Sequence, residues 1–183
     1  MIGITAMTVL SSCANKENAV KGQPDQSTQE IFAMDTYMSL TAYGSNSEEA
    51  VNKAVQEINR RDAMFSVGNA DSDVIKINEN GSGEVSEETA FIMNRAMQVS
   101  KETKGAFDIT IYPVMELWGF TTKNYRVPES SEIADVLKHV SYTNVEVNGQ
   151  QVTLSDGASI DLGGIAKGYT SSRVIQIMKD CGI

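Results

Sequence analysis

Apolar and polar positions along this chain follow two periods, and the switches between them divide it into elements. Ile31 to Met34 and Tyr37 to Tyr43 read with period two. Met38, Leu40 and Ala42 fall on one face, and Tyr37, Ser39, Thr41 and Tyr43 on the other. This predicts two strands with a break at Met34-Asp35-Thr36, ended by Gly44-Ser45-Asn46-Ser47. From there Ala50, Val51, Ala54, Val55 and Ile58 recur at helical spacing, with Ser47 as N-cap and two acids in the first turn, to about Met64. Asp71-Ser72-Asp73 caps a short helical turn through Asn78, and Glu79 to Gly83 reads as loop. Ser86 opens a further helix with Phe91, Ile92, Ala96 and Val99 on its buried face, and Gly105 is its C-terminal stop.

The remainder alternates faster. Ala106 to Tyr112 reads as a β-run, Pro113 to Phe120 as a short irregular helix, and residues 121–130 as a polar loop. Ser130 or Ser131 caps a helix from Glu132 to about Lys138. Asn148-Gly149 between two apolar-alternating runs predicts a hairpin of Asn144 to Val147 with Gln151 to Leu154. Ala158, Ile160 and Leu162 then mark a short strand running into Gly163-Gly164 and a helix from Tyr169 to about Lys179. These elements predict an α+β fold, a mostly antiparallel sheet with helices packed on it. Gly182 caps the last helix, where a strand is expected to follow, so the fold reads as truncated.

The N-terminal residues lack either period. Residues 1–13 form an apolar run ending in Leu10-Ser11-Ser12-Cys13, too short to span a bilayer and shaped like the end of an export signal. The pattern resembles a bacterial lipobox, which makes Cys13 the lipidation site and places the protein in the bacterial cell envelope. It would be lipid-anchored there on the periplasmic or extracellular side of a membrane. The usual basic start is absent. Residues 14–29 are polar and read as a disordered linker, so the folded part is expected from Glu30.

Composition narrows the function. The 183 residues suffice for one domain, and 41% hydrophobic with 21% charged residues is ordinary for a globular protein. A net charge of −9 argues against nucleic-acid binding, which needs a basic face. It also means that a phosphate ligand would call for local cations or a metal. The two cysteines, Cys13 and Cys181, do not indicate a disulfide framework.

The candidate chemistry lies in Asp161-Leu162-Gly163-Gly164-Ile165-Ala166-Lys167-Gly168-Tyr169. A strand, paired glycines and a helix start expose backbone N–H groups at the positive end of a helix dipole, a natural anion site. Asp161 and Lys167 flank the turn. The alternative is a strand–helix junction that merely needs glycine, because isolated glycine motifs are weak signals. His139 reads as a helix C-terminal cap and Trp118 as core.

Three segments in order carry a resemblance: Phe32-Ala33-Met34-Asp35-Thr36, Gly105-Ala106-Phe107-Asp108-Ile109-Thr110 with Pro113, and the glycine segment Asp161 to Tyr169. Together they resemble the ApbE family, the FAD:protein FMN transferases, over about residues 30–183. That is roughly the N-terminal half of a family member.

The resemblance implies an ApbE-like (T-fold-like) fold and a transferase that moves FMN from FAD to a Thr or Ser hydroxyl of a target flavoprotein, releasing AMP, with Mg²⁺ as cofactor. It implies FAD contacts at Met34, Ala106, Phe107, Asp108, Asp161 and Lys167, and a metal-ligating carbonyl at Gly164. No residue is assigned as the catalytic base. Asp35 stands where the family usually has glycine, and whether Phe65 replaces a family aromatic near the flavin is left open. The family's C-terminal half, with its metal carboxylates, has no counterpart here, so this chain alone is expected to be inactive. The alternative is a non-catalytic flavin- or nucleotide-binding exported lipoprotein.

Overall fold

A computed structural model describes residues 25–183. Cys13, the proposed signal and residues 14–24 of the proposed linker lie outside the described residues.

The first element is a hairpin of β1 (Gln26–Ala33) and β2 (Thr36–Tyr43). Its turn places Met34 and Asp35 both in the left-handed region, at φ 52° and 53°. Aspartate tolerates that conformation better than most side chains, and two consecutive left-handed residues twist a two-residue loop to match its strands. The strand begins five residues earlier than the sequence indicated. Gln26 to Gln29 are strand, not linker, because they pair with Tyr43 to Leu40. Backbone pairing needs no apolar side chains: the Thr28 and Thr41 hydroxyls meet on the exposed face at 3.0 Å, while the half-buried Gln29 amide donates to Asn52 of the next helix. Alternation on β2 is as read, with Met38, Leu40 and Ala42 turned inward.

Helix α1 (Ser47–Phe65) packs between this hairpin and the last helix, α6 (Gly163–Asp180). Its N-cap is Asn46 rather than Ser47, and the Asn46 amide donates instead to the Cys181 carbonyl at 2.8 Å. Helices α2 (Asp73–Asn80) and α3 (Glu87–Glu102) start at serine caps, the Ser72 and Ser86 hydroxyls accepting from the amides of Ile75 and Thr89. Phe91 is 58% exposed and leaves the buried face of α3 to Ala90, Ile92, Met93 and Ala96.

A second sheet has the order β3-β5-β4, all antiparallel, from β3 (Ser82–Glu84), β4 (Val145–Asn148) and β5 (Gln151–Leu154). The Asn148-Gly149 hairpin forms as read. β3 falls where a loop was expected, since three residues of Ser-Gly-Glu carry no strand pattern. Two short helices, α4 (Tyr112–Leu117) and α5 (Ser130–Val136), pack together beside the core. α5 is capped by Glu129 in a reciprocal box with Glu132, not by a serine. The core joins α2, α3, β4 and β5 to Ile109, Ile160, Leu162 and Ala166. Mixed helix and antiparallel sheet is the α+β architecture expected.

Asp73 ties α2 to α3, accepting from the Ser86 amide at 2.9 Å and the Thr89 hydroxyl at 2.5 Å. Burial pushes this carboxyl up, but the hydrogen bonds from Ser86 and Thr89 outweigh it and hold it below its ordinary 3.8. A depressed folded-state pKa contributes stability that is present above the unfolded value and lost as pH falls through the folded one. Asp73→Asn is therefore expected to lower the melting temperature at neutral pH. It should also flatten the decline in melting temperature between about pH 5 and pH 2, followed by circular dichroism.

Candidate active site at the start of the last helix

Ala158 to Asp161 lead into the helix without joining a sheet, and Leu162 already leaves the strand region at φ −95° and ψ 2°. The predicted strand fails because, among the described residues, no strand pairs with it. A side chain takes that role: Asn78 of α2 donates to the Ile160 carbonyl at 2.9 Å and accepts from the Ile160 amide at 2.7 Å. The next amide, Asp161, donates to the Ile109 carbonyl at 2.8 Å. Ile160 and Leu162 are wholly buried, so their main chain has no water to turn to.

The helix then starts at Gly163, six residues before the expected position. Gly163, Gly164 and Gly168 are inside it, each about 1 kcal/mol less favourable than alanine. The reason for one of them is steric. A Cβ on Gly164 would stand 2.9 Å from the Phe107 ring, whereas one on Gly168 would meet nothing. The Gly163 amide donates to the Asp161 carboxylate at 2.5 Å. Ile165 and Ala166 donate to the Leu162 carbonyl.

The segment from Ala106 to Tyr112 is not a β-run. It carries a 3-10 turn over Ile109–Ile111, set by the Asp108 side chain. One Asp108 oxygen accepts from the Thr110 amide and hydroxyl at 2.9 and 2.7 Å, and the other accepts from the Tyr142 amide at 2.7 Å. The Asp108 carboxylate is thus committed to holding Phe107 in place. Buried Tyr112 has its phenol pushed up to about 12, first by burial, then by the charges of Glu116 and Asp161.

Met34 and Lys167 meet in a groove of about 380 Å³, with Met38, Leu40, Ile58 and Val174 among its other lining residues. So the structure brings Phe107 onto Gly164, and Met34 beside Lys167, both on the first two turns of α6. Ala106 is exposed at the edge of the first pair.

A model of the ApbE family matches residues 34–183. The chain belongs to the ApbE family. An FAD:protein FMN transferase of Haemophilus influenzae is 25% identical over 189 aligned positions, covering 96% of this chain and 54% of the relative. One from Klebsiella pneumoniae is 30% identical over 139 positions, 71% of this chain and 43% of its own. The crystal structure of the ApbE protein from Thermotoga maritima superposes with a TM-score of 0.81 at 34% identity, over 86% of this chain and 53% of that one. The flavin transferase ApbE from Vibrio cholerae, at 20% identity and a TM-score of 0.79, shares the fold. The chain spans about half the length of the curated relatives it matches.

Within this ApbE chain, two residues beside the site escaped the sequence reading. Asn78 gives no signal, because a polar residue at the end of a short helix is ordinary. Arg61 does give one. It continues the apolar stripe of α1 three residues after Ile58 and four before Phe65, and it is wholly buried. Phe65 itself is core, 5% exposed, with its ring 6.3 Å from that of Tyr169. Among the described residues no cluster of His, Cys, Asp or Glu could hold a metal ion.

Two expectations follow. Asn78→Ala strands two buried backbone groups, each costing about 1–3 kcal/mol, so urea unfolding should show a loss of about 2–6 kcal/mol. Gly164→Ala should destabilise the native chain but stabilise a Phe107→Ala background, by about 1 kcal/mol from helix propensity. Equal effects in both backgrounds would show that the ring contact does not matter.

Proposed function

We propose that this chain is the FAD-binding part of an FAD:protein FMN transferase. The observation that carries the reading is the convergence of Phe107, Gly164, Met34 and Lys167 on the first two turns of α6 in a chain of the ApbE family. Relatives bearing that transferase name support it.

The chemistry fits the donors. A dinucleotide presents a pyrophosphate, and the α6 N-terminus offers a helix dipole, the Gly164 amide, left over once Gly163, Ile165 and Ala166 donate to Asp161 and Leu162, and the Lys167 ammonium one turn on. These local positive features matter in a chain of net charge −9. Met34 with Met38 and Leu40 supplies apolar surface in the groove beside Lys167, and Phe107 supplies more against Gly164. In the transfer, a Thr or Ser hydroxyl oxygen of the acceptor flavoprotein bonds to the FMN-side phosphorus. The P–O bond to the AMP half breaks, AMP leaves, and the hydroxyl proton passes to a base. No residue is assigned as that base.

The donors do not make a magnesium site. Mg²⁺ takes about six oxygens in near-octahedral geometry. Here Asp161 is the carboxylate of the glycine segment and already accepts from the Gly163 amide, and the Leu162 carbonyl accepts from Ile165 and Ala166. Among the described residues a bound magnesium ion would therefore lack most of its ligands. A second reading is a flavin-binding protein without transferase activity. Attachment to the cell envelope through a lipidated Cys13 belongs to both readings and rests on the Leu10-Ser11-Ser12-Cys13 pattern.

Titration calorimetry of the chain with FAD, with and without Mg²⁺, tests the assignment. Saturable binding is expected, changed little by Mg²⁺ and weakened roughly tenfold by Lys167→Ala, the loss of one charge-assisted contact. An absence of FAD binding would overturn it. AMP release from FAD in the presence of a Thr-bearing acceptor would exclude the non-catalytic reading.

A further inference from the structure

The Arg61 guanidinium is wholly buried in a joint between three helices. One terminal nitrogen serves two carboxylates: Glu57 of α1 at 3.0 Å, and Glu88 of α3. Arg60 binds the same two acids from the surface side, 2.8 Å from Glu57 and 2.5 Å from Glu88. Among the described residues the other two Arg61 nitrogens have no hydrogen-bond acceptor. What they face is an aromatic ring. The guanidinium carbon lies 4.5 Å from the centroid of Tyr169 on α6, and the same ring packs on Phe65 and Phe91.

A buried ion pair is weak evidence for stability, since apolar residues often serve as well. Its value here is geometric. Tyr169 stands five residues beyond Gly164 and two beyond Lys167, in the same helix. The stretch between Gly163 and Gly168 has three glycines, the poorest helix formers after proline, so its own backbone holds it weakly. Something outside that stretch must fix where its amides and Lys167 point. A planar cation suits the task. Arginine can hold a carboxylate at its edge while its face lies on a ring, and lysine cannot do both.

We propose that Arg61 is a positioning residue, acting through Tyr169 to hold the Gly163–Lys167 segment in its binding geometry. Its bearing on FAD rests on the reading above; its hold on the segment does not.

Amide hydrogen exchange of the full chain, without ligand, tests the hold directly. In Arg61→Lys and Tyr169→Leu the amides of residues 163–168 are expected to exchange roughly tenfold faster, with residues 172–180 of the same helix unchanged. Tyr169→Phe keeps the ring face and should restore the native rate. Uniform acceleration across the chain, or no change in 163–168, would overturn the proposal. So would a Tyr169→Phe variant as fast as Tyr169→Leu. Calorimetry with FAD on the same variants separates the two readings. Faster local exchange with weakened FAD binding supports both. Faster local exchange in a chain whose native form binds no FAD supports the clamp and refutes the flavin assignment.

Discussion

The site depends on one constraint: a buried stretch of backbone has to be satisfied without a sheet. Ile160 and Leu162 are wholly excluded from water, yet among the described residues no strand pairs with them. The Asn78 amide stands in for one, with a donor and an acceptor spaced like a peptide group. Asn78 in turn is fixed by α2, whose left-handed cap Gly81 accepts from Leu154 of β5. The route from the small sheet to the glycine turn therefore runs through hydrogen bonds to main chain, which tolerate little displacement.

Two side-chain carboxylates show why burial matters more than number. Asp73 accepts from Ser86 and Thr89 at the start of α3, and Asp108 accepts from Thr110 close by and from Tyr142 far along the chain. Each ties a loop or helix start to a partner outside its own element. The exposed pairs Lys53–Glu49 and Lys138–Asp135 are as short, at 2.6 Å, but link neighbours within one helical stretch. Such pairs contribute little, because solvent screens them and their ends lose freedom.

Legibility in the sequence followed the range of the interaction. The Asn148-Gly149 hairpin, the serine caps at Ser72 and Ser86, and the two faces of β2 are local patterns, and each was read correctly. The failures involve partners far along the chain. Gln26 to Gln29 looked like linker because their strand character comes from residues 40–43. Ala158 to Leu162 looked like a strand because apolar alternation reports burial, not pairing. The glycine pair was read as a turn before a helix, whereas packing under Phe107 draws it into the helix itself. The three motifs that carry the family resemblance were legible. That Met34 shares a groove with Lys167, while Phe107 covers Gly164, was not, since that depends on how α1, the hairpin and α6 stack.

The hairpin also bears on how copies of this chain behave in solution. Among the described residues β1 and β2 pair only with each other, leaving one edge of each without a strand partner there. Phe32, Tyr37 and Tyr43 are exposed on its outer face. Edges of this kind invite pairing between molecules, and β1 has neither lysine nor proline to discourage it. What separates the molecules is the excess of acid, −9 at neutral pH. That repulsion vanishes near the isoelectric point of about 4.6, leaving the hairpin edges as the surfaces through which neighbouring molecules would first associate.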